Sequence, residues 1–205
     1  MCGRFFVALD DPELMAVFRE TEADDRETGL PLPKAGTVFP GDYSAAVVFT
    51  PGGKPHCARL RWGFSSLDQK GLLINARAET VLQKATFKDL VRENRCLIPA
   101  SYYFEWKKDP NTGRKLRHIM RDSRSTTIYM AGLFRQEEGE TVSRYVILTR
   151  DASKDIQHVH HRMPVILDPE ERKAWLSDQA DVSAVLNAAV SRITALEDLQ
   201  EKEGT

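Results

Sequence analysis

The sequence predicts a single α+β domain with a mixed, largely antiparallel, barrel-like β-sheet core flanked by short α-helices. Three observations predict this class. Short apolar segments with strand-like alternation recur along most of the 205 residues. Helical apolar spacing is confined to a few short stretches, and turn-forming Gly and Pro residues separate the elements. Because no linker divides the chain, we expect one domain at residues 2–190 and a polar C-terminal tail at 191–205.

The elements of the first half follow from local patterns. Asp11 is expected to cap a helix with Pro12 at its first position, and Leu14, Val17 and Phe18 then share one helical face. The remaining predictions are a strand at 4–9, an exposed acidic loop at 20–36, turns at 38–41 and 51–53, a buried strand at 45–49 and a half-buried strand at 59–64.

The second half continues this alternation. A helix capped by Thr86 is expected, with Phe87, Leu90 and Val91 on its inner face. Asp168 caps another predicted helix. The remaining predictions are strands at 96–99, 102–106, 116–121, 127–134 and 144–149, a hairpin turn at 110–113 and a helix at 182–190.

Composition excludes several classes of protein. With 41% hydrophobic and 29% charged residues, the chain has a globular composition. No apolar run approaches about 20 residues and no signal peptide is recognisable, so we expect a cytoplasmic protein, nucleoid-associated if the source is bacterial. Three cysteines without C-x-x-C spacing argue against a zinc ribbon and a disulfide framework. The compact size favours a monomer.

Charge is unevenly distributed along the chain. Residues 54–124 contain 16 Lys and Arg against 7 Asp and Glu, whereas the remainder contains 13 against 23. A basic middle segment of this kind can form a local phosphate-binding face although the formal net charge is only -1. Charges scattered over a solvated surface would explain the same counts equally well.

The N-terminal residues Met1-Cys2-Gly3-Arg4 contain a chemically suggestive pattern. Removal of Met1 would leave Cys2 with a thiol and a free α-amine on adjacent carbons. This aminothiol can act as a nucleophilic thiolate, or its amine can condense with an aldehyde to an imine that the sulfur closes into a thiazolidine. An α-amine has a pKa of about 7.7 to 8.0, so about a tenth of it is neutral at pH 7. Small residues after Met are common, so position alone does not make Cys2 catalytic.

Seven short segments are spread over the chain. They are MCGRF at 1–5, RWGF at 61–64, NARAET at 75–80, RCLIPA at 95–100, FEW at 104–106, AGLF at 131–134 and HHRMPVIL at 160–167. In this order they resemble SRAP domains, the SOS-response-associated peptidase or abasic-site processing proteins, from residue 2 to about residue 176. The chain departs from the family pattern at 65–71, which is short and lacks a second tryptophan, and at 101–103, where glycine is usual.

The resemblance implies covalent capture of abasic sites in single-stranded DNA. The family's mature N-terminal cysteine corresponds to Cys2, and its attack on the deoxyribose aldehyde gives a thiazolidine cross-link that shields the lesion, without a cofactor or metal. The family's other active-site positions correspond to Asn75, Glu105 and His160. The family name also implies peptidase-type self-removal of Met1, and an imine intermediate permits lyase chemistry by β-elimination.

These residue types suit the chemistry, although each has an ordinary alternative. Glu105 can shuttle protons if its pKa is raised, His160 titrates near neutral pH, and Asn75 can orient a sugar hydroxyl or an imine. The alternatives are an exposed strand carboxylate, a surface histidine and a helix cap. His158, His160 and His161 could instead share a metal, although the sequence identifies no third and fourth ligand.

Contacts with DNA are assigned in the same way. Arg4, Arg77 and Arg162 lie in or beside the matched segments and suit phosphates flanking the lesion. The candidates for stacking or wedging against bases are Trp62, Trp106 and Pro40. Trp62 could instead be a core residue.

Two other functions stay open. Met-Cys-Gly also begins the N-terminal-nucleophile glutamine amidotransferases, in which the cysteine attacks a side-chain amide and releases ammonia, but the supporting segments of that class are missing from this sequence. A noncatalytic module could bind single-stranded DNA through the basic middle segment without using Cys2.

Overall fold

The computed structural model describes residues 2–25, 29, 31–66, 71–190 and 192–198. Over these residues the chain is mostly β-sheet with a few short helices, which confirms the predicted fold class. The strands are β1 (Phe5–Val7), β2 (Gly36–Val38), β3 (Tyr43–Phe49), β4 (His56–Trp62), β5 (Phe64–Ser65), β6 (Leu72–Leu73), β7 (Asn75–Arg77), β8 (Arg95–Ala100), β9 (Tyr102–Lys108), β10 (Lys115–Asp122), β11 (Ile128–Arg135), β12 (Arg144–Asp151), β13 (Arg162–Pro164) and β14 (Ile193–Glu197). The helices are α1 (Pro12–Asp25), α2 (Lys88–Glu93), α3 (Pro169–Trp175) and α4 (Val182–Ala188), with a 3-10 turn at Ala78–Thr80.

The strands form two main sheets of different construction. The first has the order β14-β10-β9-β1-β2, and all of its pairs are antiparallel. The second has the order β11-β8-β3-β4-β12-β13, with β7 also paired to β12. A further pairing of β11 with β12 closes β11, β8, β3, β4 and β12 into a ring. Strand β12 runs parallel to β4 and β7, so it accounts for both the mixed and the barrel-like character of the sheet.

The second sheet buries both of its faces. Side chains alternate across a strand, so one face packs with the first sheet and α1 in a core that includes Phe5, Trp62 and Tyr103. The opposite face packs with the other helices in a core that includes Trp175 and Val185. Burying one large apolar side chain contributes roughly 2 kcal/mol. None of the described helices is both long and apolar enough to cross a bilayer.

Two glycines are required by the way the second sheet is built. An added Cβ at Gly132 in β11 would lie 2.8 Å from the Val146 carbonyl oxygen and 2.9 Å from the Cys96 sulfur. Only glycine therefore lets β11 approach its neighbours this closely. Gly63, between β4 and β5, has a φ of +100°, which favours glycine, and an added Cβ there would lie 2.8 Å from that of Leu72. Glycine thus lets the β5–β6 hairpin pack at the end of β4.

Helix α1 is longer than the sequence predicts. Asp11 caps it as expected, accepting hydrogen bonds from the backbone N–H groups of residues 13 and 14. The helix then continues into the stretch predicted as a loop, because Thr21 is fully buried and donates its hydroxyl to the Val17 carbonyl oxygen at 2.8 Å. The parts of predicted segments that lie outside the described residues are 26–28 and 30 of the loop, 67–70 of the short segment, and 191 and 199–205 of the tail.

Two predicted helix caps differ in the structure. The cap residue of α2 is Phe87, without a side-chain hydrogen bond, so the predicted cap at Thr86 is wrong. Asp168 occupies the cap position of α3, but its carboxylate binds Arg192 at 2.5 and 2.8 Å and not the helix N–H groups. A hydrogen bond from a charged guanidinium group stabilises a carboxylate more than one from a backbone amide does, which explains why Asp168 binds Arg192.

Part of the stretch predicted as a polar tail is a strand. Residues 193–197 form β14, which pairs with β10 at the edge of the first sheet. Ile193 is buried in the core, and the preceding Arg192 forms ion pairs with Asp122 and Asp168 at 3.0 and 2.5 Å. The first sheet therefore extends beyond residue 190, because the buried Ile193 and the ion pairs of Arg192 anchor this segment.

Candidate active site

The pairing of β1 with β9 brings the N-terminus to Glu105. Phe5 lies opposite Tyr103, and the Phe104 N–H donates to the Arg4 carbonyl oxygen at 2.9 Å. Continuing this antiparallel register places the first residues of the chain beside Glu105. Cys2 is fully buried there, and its sulfur atom lies 3.9 Å from the Arg4 carbonyl oxygen, to which the S–H group donates.

Asn75 fixes the first residues from the second sheet. It begins β7, which is held parallel to β12 with Asn75 opposite Ile147. Its side-chain amide donates to the Cys2 carbonyl oxygen at 2.9 Å. The Asn75 side-chain oxygen is buried and has no hydrogen-bond partner among the described residues. The residue therefore keeps one acceptor that its protein surroundings do not use.

His160 approaches Glu105 from the segment before β13. Its Nδ1 atom lies 4.0 Å from the Glu105 Oε1 atom and accepts a hydrogen bond from the Arg162 backbone N–H at 3.0 Å. The same Nδ1 atom lies 3.2 Å from the Arg162 carbonyl oxygen, so the backbone of Arg162 orients the ring whichever nitrogen carries the proton. The four residues that the family resemblance identifies, Cys2, Asn75, Glu105 and His160, thus lie in one site, which we call the amino-terminal cluster.

Burial controls the protonation of this cluster. Burial raises the pKa of the Cys2 thiol, and the charge of Glu105 raises it further, so the sulfur keeps its proton at neutral pH. Burial likewise raises the pKa of Glu105 above its ordinary value. The pKa of His160 is lowered, again chiefly by burial, which keeps the ring neutral. A carboxyl group and an imidazole shifted toward each other in this way can exchange protons near neutral pH.

Arg4 lies between two aromatic rings at the edge of the first sheet. Its guanidinium carbon is 4.5 Å from the centroid of Phe39 and 4.8 Å from that of Trp106. No carboxylate lies within ion-pair distance of Arg4 among the residues that the structure describes. Pro40 is exposed next to Phe39. The arrangement offers a cation and flat apolar surfaces side by side, as single-stranded nucleic acids require.

Arg77 ends β7, two residues after Asn75. The residue is exposed, and no ion pair joins it to another part of the described chain. Like Arg4, it keeps its charge available to an anion from outside the protein.

Arg162 is bound within the protein through the same nitrogens that its predicted contact with phosphate would use. Its terminal nitrogens donate to Glu79 at 2.8 Å, to Asp151 at 2.6 Å and to the Thr149 carbonyl oxygen at 2.7 Å. The residue is buried, and its bonds join the 3-10 turn to the ends of β12 and β13. We call this group of four residues the Arg162 cluster; it holds the segments that carry Asn75 and His160.

Trp62 is a core residue, so the prediction that it stacks on bases is wrong. The ring is fully buried, 5.2 Å from Phe5 and 6.1 Å from Tyr145 between centroids. Its Nε1–H donates to the Ile74 carbonyl oxygen at 3.0 Å. Alternation along β4 correctly predicts that one side of the strand is buried, and it is Trp62 that points to that side.

Three exposed apolar residues near the site have no counterpart in the sequence predictions. Phe39 stacks on Arg4, and Leu72 and Leu73 form β6, which packs against Gly41 and Gly63. Two adjacent leucines after a polar segment are the only signal that the sequence offers. Residues 67–70 of that segment lie outside the described residues.

A metal site is not formed by the histidines of this region. Among the described residues, no group of three or more His, Cys, Asp or Glu side chains could hold a metal ion. His160 and His161 instead stack on each other, with ring centroids 4.5 Å apart.

Comparisons with known proteins identify a family from the sequence and a shared fold from the structure. A family model described as SOS response associated peptidase (SRAP) matches residues 1–201. The abasic site processing protein YobE of Bacillus subtilis is 34% identical over 192 residues, covering 86% of this chain and 82% of that protein. The abasic site processing protein YedK of Escherichia coli is 27% identical over 190 residues, covering 87% and 81%. The crystal structure of a phage-related protein of Bordetella bronchiseptica has the same fold, with a TM-score of 0.72 at 23% identity, covering 97% and 95%.

Proposed function

The chain belongs to the SOS response associated peptidase family, and from that premise we propose that it captures abasic sites in single-stranded DNA through a covalent bond to Cys2. Its relatives in Bacillus subtilis and Escherichia coli are named abasic site processing proteins, which supports this substrate. In the proposed reaction, Met1 is first removed by hydrolysis, because the nitrogen of Cys2 is otherwise an amide. The product is a thiazolidine cross-link that shields the lesion.

The state of the Cys2 thiol indicates which bond forms first. Burial and the Glu105 charge raise the pKa of the thiol, so the sulfur is protonated and weakly nucleophilic at neutral pH. A free α-amine has a pKa of about 7.7 to 8.0 and is about one-tenth neutral at pH 7. The nitrogen therefore attacks the aldehyde carbon of the ring-opened sugar before the sulfur does.

The reaction balances without a cofactor. The amine adds to the aldehyde carbon, and a proton passes through a base from the nitrogen to the new alkoxide oxygen, which gives a carbinolamine. The carbinolamine hydroxyl leaves as water after it accepts a proton, and the nitrogen then loses its remaining proton, so an imine remains. The sulfur then adds to the imine carbon while the thiol proton ends on the nitrogen. One aldehyde and one aminothiol thus give one thiazolidine and one water.

Glu105 and His160 are the groups that carry these protons in the proposed reaction. The raised pKa of Glu105 lets it take a proton from the amine and return it to the departing hydroxyl. His160, 4.0 Å from Glu105 and neutral, exchanges protons with that carboxyl group. The unused side-chain oxygen of Asn75 accepts a hydrogen bond from a sugar hydroxyl, since its amide already binds the Cys2 carbonyl oxygen.

The DNA strand is bound by the surface around Arg4 in this proposal. Bases stack or wedge against Trp106, Phe39 and Pro40, while Arg4 and Arg77 neutralise phosphates beside the lesion. Single-stranded DNA suits this surface better than a duplex, because unpaired bases can lie flat on aromatic rings. The observation that carries the proposal is the buried contact of Asn75 with Cys2, beside the Glu105–His160 pair.

Intact mass spectrometry tests the proposal. Protein confirmed to begin at Cys2 is incubated with a single-stranded oligonucleotide that contains one abasic site. We expect a mass gain equal to the oligonucleotide minus one water, stable to heat, for the parent and for Cys57→Ala, and none for Cys2→Ala. An oligonucleotide with a tetrahydrofuran analogue, which has no aldehyde, should give no adduct.

Other results would overturn the proposal in recognisable ways. Material that begins at Cys2 and shows no mass gain excludes covalent capture. Ammonia release from glutamine that is lost in Cys2→Ala would instead indicate an amidotransferase-like hydrolase. Equal binding of abasic DNA by Cys2→Ala and parent, with no adduct from either, would indicate a noncatalytic binding module.

A further inference from the structure

The face of β9 that carries Glu105 also carries the hydroxyl of Tyr103. Side chains alternate along a strand, so these two residues share one face, while three aromatic side chains of β9 contact one another on the opposite face. Tyr103 is fully buried, in the same core as Cys2. Its backbone lies opposite Phe5, only three residues after Cys2. The hydroxyl therefore belongs to the amino-terminal cluster.

The hydroxyl of Tyr103 has no hydrogen-bond partner among the described residues. This is unusual, because a buried tyrosine normally satisfies its O–H, and an unpaired one destabilises the fold. Burial raises the pKa of Tyr103, and the charges of Cys2 and Glu105 raise it further. The group is thus a neutral donor that stands beside two potential anions.

The sulfur of Cys2 is the atom that most requires a donor. Its present neighbour is the Arg4 carbonyl oxygen, which can accept from S–H but cannot stabilise a thiolate. The amide of Asn75 is used by the Cys2 carbonyl oxygen. Burial and the negative charge of Glu105 both oppose loss of the thiol proton, as the raised pKa of the thiol shows. A hydrogen bond from a neutral donor offsets both effects without adding charge.

We propose that the Tyr103 hydroxyl donates a hydrogen bond to the sulfur of Cys2 as the thiol loses its proton, and so promotes closure of the thiazolidine ring. The tyrosine proton stays on its oxygen throughout, and the thiol proton passes to the imine nitrogen. The inference rests on the proposed function in taking Cys2 as the nucleophile. It predicts an effect on ring closure alone, since imine formation involves the nitrogen.

A small aldehyde tests this step without DNA. Protein that begins at Cys2 is mixed with glycolaldehyde and quenched at intervals with borohydride, which reduces the imine but not the thiazolidine. The two products then differ in mass by two hydrogens. We expect ring closure in Tyr103→Phe to be about tenfold slower, the usual effect of one hydrogen bond to an anion, with an unchanged rate of imine formation. Reduced imine should therefore accumulate in the variant.

Tyr145→Phe is the matched control. Tyr145 is also fully buried in this core, but its hydroxyl shares a 2.8 Å hydrogen bond with Ser44. The Tyr145→Phe variant should close the ring at the parent rate and melt at a lower temperature, because it loses a hydrogen bond. The Tyr103→Phe variant should melt no lower than the parent, because its hydroxyl has no partner to lose. Equal closure rates in Tyr103→Phe and parent, equal slowing in both variants, or a lower melting temperature for Tyr103→Phe would each overturn the inference.

Repeating the measurement with abasic DNA separates this inference from the proposed function. Slower closure with glycolaldehyde in Tyr103→Phe, together with no capture of abasic DNA by the parent, would refute the function and leave the inference standing. Capture of abasic DNA by the parent, together with equal ring-closure rates in Tyr103→Phe and the parent, would support the function and refute the inference.

Discussion

The amino-terminal cluster and the Arg162 cluster lie next to each other, yet their polar atoms are bonded to very different extents. Both terminal nitrogens of Arg162 are bonded to carboxylates or to a carbonyl oxygen, and only its Nε atom lacks a partner among the described residues. In the amino-terminal cluster, the Asn75 side-chain oxygen and the Tyr103 hydroxyl have no partner among the described residues. The clusters are joined by the bond from the Arg162 N–H to His160.

This difference separates residues that support the site from residues that are available to a substrate. A buried polar group without a partner destabilises the fold, and Asn75 and Tyr103 place two such groups in the cluster that holds Cys2. The terminal nitrogens of Arg162 join segments of the site to one another, whereas Arg4 and Arg77 form no ion pair among the described residues. The contact of Arg162 with phosphate stays a prediction.

The largest expected effect is the loss of stability in Arg162→Met. The change leaves the buried Thr149 carbonyl oxygen and the Glu79 carboxylate without their donor, which should lower the free energy of unfolding by about 2 to 4 kcal/mol. Urea unfolding measures this. Arg77→Met is the matched control and should change stability by no more than about 0.5 kcal/mol, because the side chain is exposed. Equal stability of the two variants would remove the distinction between the clusters.

Glu105→Gln should act on rate instead of stability. The amide keeps the shape of the carboxyl group but cannot take a proton, so we expect cross-linking with abasic DNA to slow by about tenfold to a hundredfold. The Glu105 carboxylate can act as a base only when it is ionised, and burial raises its pKa. The ratio of parent to variant rate should therefore rise with pH, with a midpoint above about 4.5. A ratio that stays constant with pH would exclude Glu105 as the base.

Arg77→Glu should have the smallest effect, confined to DNA affinity. Removal of one phosphate contact should weaken binding and reduce the slope of log affinity against log salt by about 0.7 for a single strand. Lys173→Glu on α3 is the control, since that exposed lysine belongs to the opposite side of the second sheet. Fluorescence anisotropy over a salt series measures both. An unchanged slope for Arg77→Glu would place this arginine away from the strand.

Local patterns predict most of the strands and the residue types of the site, but they do not predict the partners of those residues. The alternation in β4 indicates a half-buried strand, and Trp62 is on its buried side. Arg162 resembles a free cation in sequence because Glu79 is 83 positions away. The strand at 193–197 has a single buried residue, its first, so its sequence gives little indication of a buried face. The partners of Arg162 and the pairing of β14 with β10 are contacts between distant segments, which local spacing cannot encode.

The bond between the Asn75 amide and the Cys2 carbonyl oxygen also affects the entropy of the proposed reaction. A terminal residue normally samples many orientations, whereas this one is held on one side by Asn75 and on the other by entry into β1 three residues later. The torsional freedom of the N-terminal residue is then lost during folding and not at each encounter with a sugar. Nitrogen and sulfur should act at a high effective molarity, far above that of a short peptide with the same first residues.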